Sequence, residues 1–144
     1  MHGTAISWQG KGVLLVGNPG AGKSYLARLM MDRGWSLVGD DQVHLIKQSS
    51  GVFLVGDTRL KGILEVRGLG ITRVTPAPPA KLCLVVSVET PESQANQMPE
   101  GDARMPSQAN VIYLGHQIPF IGLNVRNPGI APLLETAVWE RALS

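Results

Sequence analysis

Gly17-Asn18-Pro19-Gly20-Ala21-Gly22-Lys23-Ser24 is a complete G-x-x-x-x-G-K-[ST] phosphate-binding loop. It stands between the apolar run Gly12-Val13-Leu14-Leu15-Val16 and a stretch with Leu26, Leu29, Met30 and Arg33 at helical spacing. Strand, loop and helix in that order is the setting this motif requires. The glycines let backbone N–H groups curl around phosphate oxygens, Lys23 reaches the β- and γ-phosphates, and the Ser24 hydroxyl can ligate Mg²⁺. The following helix adds the positive end of its dipole. Residues 17–24 are therefore expected to bind a nucleoside triphosphate, ATP with Mg²⁺. A glycine-rich turn without a ligand does not explain Lys and Ser standing together where phosphate and metal need them.

At 144 residues the chain is expected to form one domain, residues 1–144, too short for a kinase with a separate substrate domain. Further reach must come from loops or other subunits. The 13 basic and 11 acidic residues are spread without runs and leave a net charge of +2. There is no electrostatic case for nucleic acid or an anionic membrane. Cys83 is the one cysteine, which excludes an intramolecular disulfide. In Leu82-Cys83-Leu84-Val85-Val86 it reads as a buried, inert thiol in a reducing cytoplasm. No apolar stretch approaches the roughly 20 residues of a membrane span, and Met1-His2-Gly3 lacks the character of a signal peptide. A cytoplasmic location is expected.

Outward from the loop, residues 4–8 and 12–16 predict a hairpin turning at Gln9-Gly10-Lys11, and the loop's helix runs to about Arg33, stopped by Gly34. Trp35-Ser36-Leu37-Val38-Gly39 predicts a strand ending in Asp40-Asp41, adjacent to the loop's own strand. Val43 to Ile46 and Val52 to Val55 predict a second hairpin around Ser49-Ser50-Gly51. A short helix is expected over Thr58 to Leu64, an extended connection at Pro76 to Pro79, and a strong strand over Lys81 to Glu89. Residues 90–110 read as a mobile surface loop. Strands at 111–114 and 118–125 precede a closing helix over about 130–142, with Leu133, Leu134, Ala137, Val138 and Leu143 apolar. The fold class is α/β, a mixed sheet with flanking helices.

Phosphoryl transfer needs a nucleotide cradle, metal ligands, a carboxylate near the attacking hydroxyl and cations at the transferring group. Asp40 and Asp41 can divide two of these tasks, metal binding and proton acceptance, since neighbours on a strand face opposite ways. Alone, such a pair equally suits a turn or a helix cap. Glu65 and Arg67 face the same way on an extended segment, placing a metal ligand beside a stabiliser of phosphate charge. By itself that run also fits a salt-bridged surface turn. His44 and His116 have no metal-ligand spacing and read as structural or solvent-facing. Trp8, Trp35 and Trp139 read as core packing.

These segments together resemble the catalytic domain of bacterial HPr kinase/phosphorylase, the serine kinase that modifies the phosphocarrier HPr. Members show H-G, G-x-G, G-x-x-G-x-G-K-S, a helix ending R-G, a strand ending D-D, and E-[IV]-R-G-L-G-I. Here these stand as His2-Gly3, Gly10-Lys11-Gly12, Gly17 to Ser24, Arg33-Gly34, Asp40-Asp41 and Glu65 to Ile71. The resemblance implies a P-loop kinase domain of the HPr kinase/PEP carboxykinase-like type. It implies Lys23 on phosphate, Ser24 and Glu65 on Mg²⁺, Asp41 as the base toward the substrate serine, and His2 in the same pocket. A family arginine of the variable loop is matched to Arg104. An HPr-type partner and a homo-oligomer, hexameric in the family, are implied as well. Longer members carry an additional N-terminal domain, and the resemblance is expected to be to the short proteobacterial forms that consist of the catalytic domain alone. The family's P-x-R-P-G-R-N-like segment, linked to phosphatase or phosphorylase action, reads here Asn124-Val125-Arg126-Asn127-Pro128-Gly129. The resemblance thus implies kinase activity and leaves dephosphorylation open.

Two other functions compete. A small-molecule kinase suits a P-loop domain of this size, although no arginine-rich lid is apparent and the Glu65 to Ile71 run belongs to the protein-kinase resemblance. A nucleotide-binding regulator without turnover is the non-enzyme alternative, against which stand Lys23, Ser24, Asp41 and Glu65. A GTPase needs N-K-x-D to read guanine, and the chain has none.

Overall fold

The computed structural model describes residues 1–57, 63–66, 70–73, 77–89 and 109–142. Strands β1 (Thr4–Trp8) and β2 (Lys11–Val16) form the expected hairpin, and α1 (Lys23–Met31) leaves the loop that follows β2. Next come β3 (Ser36–Gly39) and the hairpin of β4 (Val43–Gln48) with β5 (Gly51–Gly56). A short hairpin, β6 (Ile63–Val66) with β7 (Gly70–Arg73), precedes the long strand β8 (Ala80–Glu89). Strands β9 (Ala109–Tyr113) and β10 (His116–Asn124) and helix α2 (Ile130–Ala142) complete the order. Of the helix expected over Thr58 to Leu64, residues 58–62 lie outside the described residues. Ile63 and Leu64 are strand instead, because antiparallel pairing with Arg73 and Thr72 overrides a weak local preference. The loop expected over 90–110 falls outside the described residues up to 108, and Ala109 and Asn110 already belong to β9.

The main sheet runs β3-β1-β2-β8-β10-β9, with β5 joined to the start of β8 and β4 joined to β5. Strands β2, β8 and β10 are parallel to one another. Because β3 is antiparallel to β1, and β1 to β2, β3 runs the same way as these three. The segments leaving β2, β3, β8 and β10 therefore emerge along one edge, where ligands bind in open α/β sheets. The carboxylate strand is not adjacent to the loop strand as its spacing suggests. The hairpin partner β1 lies between them, since β1 has two edges to fill and β2 gives its other edge to β8.

The two sheet faces bury different sets. One takes Ile6, Val13, Leu15 and Val86 against Leu26, Ala27 and Met30 of α1 and Ile130, Leu134 and Val138 of α2. The other takes Ala5, Leu14 and Val85 against Val43, Val52 and Leu54 of the β4–β5 hairpin. Alternation along β1 and β2 is that of a strand buried on both faces. In β8 the register shifts between Gly12 and Val13, which pair with Leu82 and Leu84. Cys83 is the extra residue of this bulge, so Leu82 and Leu84 face opposite cores despite their spacing of two. The thiol is only half-buried; its Sγ donates to the Lys81 carbonyl at 3.4 Å, and burial pushes the thiol up. The full burial expected of this thiol is not seen, and the raised value disfavours its thiolate form.

Of the tryptophans, Trp35 is buried, whereas Trp8 and Trp139 meet edge to face at 4.8 Å near Lys11, with Trp139 substantially exposed. Glu135 of α2 ties this helix to the end of α1. Its Oε1 accepts from Arg33 Nη2 at 2.6 Å, and its Oε2 accepts from Trp35 Nε1 at 3.2 Å. The Arg33 hydrogen bond, aided by Trp35, holds the Glu135 carboxyl below the usual carboxylate range. A lowered value means that this stabilisation is present above the usual range and is lost as pH falls through the lowered one. Glu135→Gln is expected to weaken the fold at neutral pH and to remove part of the acid dependence below about pH 4. Denaturant midpoints measured against pH test this; parallel curves for both proteins would contradict it.

Candidate phosphate and metal site

The loop after β2 closes onto α1 as the sequence predicts. Gly22, the residue before the helix, sits at φ 108, and a Cβ there would meet Val125 at 2.9 Å. Glycine is required on both counts. Helix α1 has no side-chain cap and no acidic residue in its first turn. Its leading amides thus remain available to an anion on the side of the positive dipole end. Lys23 Nζ folds back on the loop and donates to the carbonyl oxygens of Gly17 and Asn18, at 2.9 and 3.2 Å. Bound phosphate would exchange these neutral acceptors for charged ones, which form stronger bonds.

Ser24 Oγ lies 3.0 and 3.1 Å from the two oxygens of Asp40. The Asp40 carboxylate is buried, 7% exposed, and also accepts from Thr4 Oγ1 at 2.6 Å. A buried carboxylate held by hydroxyls at the mouth of a phosphate loop suits a hard cation with oxygen ligands. Among the described residues no group of three or more His, Cys, Asp and Glu could hold a metal by itself.

Asp40 and Asp41 stand beyond the strand, which ends at Gly39. What separates them is a turn, not strand alternation. The Gln42 N–H donates to the Asp40 carbonyl at 2.8 Å across Asp41, whose φ is 69. This is a γ-turn with its central residue left-handed, a strained conformation for a non-glycine residue. The first residues pin it: Gly3 N–H donates to the Asp41 carbonyl and Val43 N–H to the Met1 carbonyl, and His2 bridges to Gln42. His2 is thus ordered beside the pair, with Nδ1 3.9 Å from Asp41 Oδ1 and 3.1 Å from the Gln42 amide. The Asp41 side chain is 72% exposed. Asp40 faces the loop and Asp41 faces outward.

Glu65 lies on β6, which runs against α1; its side chain, together with Arg67 and Arg104, lies outside the described residues. Sequence reasoning missed Thr4, whose only signal is a polar residue at a buried strand position, and Gln42, which has none. It also missed Asp57, a buried carboxylate at the end of β5 with His44 Nε2 at 3.7 Å. His44 is half-exposed and His116 partly so.

Known proteins are similar to this chain in sequence and fold. The family model described as HPr Serine kinase C-terminal domain matches residues 1–144. The HPr kinase/phosphorylase of Listeria welshimeri is 42% identical over 76 residues, 51% of this chain and 24% of its own length. That of Treponema pallidum is 32% identical over 155 residues, 99% of this chain and 47% of its own length. The chain thus spans less than half the length of these curated relatives. The Hpr(Ser) kinase/phosphatase from Coxiella burnetii superposes with a TM-score of 0.84 at 26% identity, over 99% of this chain and 90% of that one. Because the family model covers its whole length, the chain belongs to the HPr serine kinase C-terminal domain family.

Proposed function

We propose that this chain is an ATP- and Mg²⁺-dependent protein serine kinase whose acceptor is an HPr-type phosphocarrier. The names of its relatives support the acceptor. The observation that carries the chemistry is the division of the carboxylate pair: Asp40 is bonded to Ser24, and Asp41 is exposed beside it. Ser24, Asp40 and Glu65 would hold Mg²⁺, directly or through water. Bound there, the ion would neutralise charge on the phosphates. Lys23 and the loop amides hold the phosphate chain, and Arg67 and Arg104 supply further positive charge at the transferring group. Asp41 takes the proton of the acceptor serine as its oxygen bonds to the γ-phosphorus and the bond to the departing ADP breaks. His2, against Asp41 and Gln42, steadies that carboxylate. The reading extends to one catalytic domain over residues 1–144, a cytoplasmic setting, a homo-oligomer, and a part in regulating carbon metabolism. Among the described residues no helix is long and apolar enough to cross a membrane.

The test is to incubate the purified protein with γ-labelled ATP, Mg²⁺ and the HPr-type carrier of the same cell. Acid-stable label on a carrier serine is expected, lost on chelation and in Lys23→Ala, which should weaken ATP binding as well. Tight ATP binding without transfer would favour the nucleotide-sensing regulator or another acceptor.

A further inference from the structure

Thr4 is 1% exposed, a hydroxyl on a strand whose next two residues, Ala5 and Ile6, are apolar and fully buried. Burying a hydroxyl costs free energy unless it is hydrogen-bonded. Here it donates to Asp40 Oδ1 at 2.6 Å, closer than the 3.0 and 3.1 Å of Ser24 Oγ from the same carboxylate. That length belongs to a hydroxyl bonded to an ionised oxygen, a stronger bond than one between neutral groups. Oδ1 meets both hydroxyls, whereas Oδ2 meets Ser24 and not Thr4. Thr4 thus acts on one oxygen of the pair and fixes how the carboxylate is rotated.

The register of β3 on β1 explains how the two side chains meet. Ala5 pairs with Gly39 but Ile6 pairs with Leu37, so Val38 is the extra residue of a bulge. Ala5 faces the β4–β5 hairpin, and so does Gly39, where a Cβ would meet Gly56. Their neighbours Thr4 and Asp40 turn together to the opposite face, beneath α1, whose first turn carries Ser24. Without the bulge, the pairing of Ile6 with Leu37 would bring Asp40 opposite Gly3 and turn its side chain away from the loop. The bulge therefore aims the carboxylate, and the hydroxyl of Thr4 holds it. A β-branched residue is suited to that task because its χ1 is stiff. We infer that Thr4 is a positioning residue of the metal site: its hydroxyl keeps the Asp40 carboxylate in the orientation that, with Ser24, receives a divalent cation. The inference rests on the reading above that Ser24 and Asp40 hold Mg²⁺. Partners that hydrogen-bond a metal-ligating carboxylate typically change metal affinity by about 10- to 100-fold.

The test is to titrate ADP by calorimetry over a series of Mg²⁺ concentrations, and again in EDTA. Wild type is expected to bind ADP more tightly as Mg²⁺ rises. Thr4→Val, which keeps the shape and removes the donor, should raise the Mg²⁺ concentration at half-effect about tenfold or more and leave ADP affinity in EDTA unchanged. Thr4→Ala, which removes the donor without setting a methyl against the carboxylate, should do the same and serves if the valine variant does not fold. Thr4→Ser, which restores the hydroxyl, should return the Mg²⁺ dependence toward that of wild type. A wild-type Mg²⁺ dependence in the folded variants without the hydroxyl would overturn the inference. So would a serine variant as impaired as alanine, since the effect would then belong to the lost methyl. Equal loss of ADP affinity with Mg²⁺ and in EDTA would overturn it too, by making the effect one on the loop. Wild-type binding of ADP that ignores Mg²⁺ would instead remove the metal reading, and the inference with it.

Discussion

Asp41→Asn is expected to lower phosphoryl transfer to the carrier by about 10²- to 10⁴-fold, the usual contribution of a positioned general base, with ATP affinity close to that of wild type. Three observations make this variant informative. Asp41 does not contact the loop, so nucleotide binding has no direct dependence on it. Its carboxylate is 72% exposed, where a serine on another protein can reach it; the buried Asp40 could not serve in that way. Its backbone is left-handed at φ 69, a conformation that asparagine tolerates better than most residues. The variant therefore removes the proton acceptor without also releasing the strained turn, which Asp41→Ala would do. Single-turnover transfer measured beside equilibrium ATP binding checks the expectation; equal transfer rates in the two proteins would remove Asp41 from the role of base.

Gly56→Ala should have the largest effect on the fold close to the site. At the end of β5 this glycine faces β3, and a Cβ there would collide with the Val38 carbonyl oxygen. The facing residue is also glycine: a Cβ on Gly39 would meet the Gly56 Cα at 3.0 Å. Both obstacles are backbone, so no rotamer change relieves them. The end of β3 must move outward, and the next residue along is Asp40. The substitution is expected to cost about 1–3 kcal/mol, the range for overpacking, and to lower the melting temperature by several degrees. It should also raise the Mg²⁺ concentration needed for transfer, because Asp40 is drawn away from Ser24. Thermal melts and Mg²⁺ titrations would show this; a melt and a Mg²⁺ dependence like those of wild type would mean that the two strands part without cost.

Much of this protein is local in origin and was legible as such. The phosphate loop, its flanking helix, the hairpins β1–β2 and β4–β5 and the closing helix each depend on contacts between near neighbours in the chain. Apolar periodicity and turn residues encode such contacts directly. So does the family likeness, which rests on short motifs with their spacing. The helix expected at Thr58 to Leu64 failed at Ile63 and Leu64 because strand pairing prevailed there over local preference.

The working parts of the site belong to the tertiary structure. That two adjacent carboxylates come to differ, one buried and bonded to Ser24 and the other exposed, depends on a γ-turn clamped by residues 1–3. Thr4 reaches Asp40 across 36 positions, and Ser24 reaches it across 16. Such partners are decided by strand order, in which β1 lies between β2 and β3 and β8 takes the other edge of β2. The same order leads β3 and β10 out at one sheet edge, on opposite sides of the loop strand. By itself the sequence determined the phosphate-loop motif of residues 17–24 and the strand and helix around it, because these form one continuous segment of backbone. Only the tertiary structure decided which of the two carboxylates faces that loop, because Asp40 reaches Ser24 through the place of β3 in the sheet, and that place is set by pairing between segments distant in sequence.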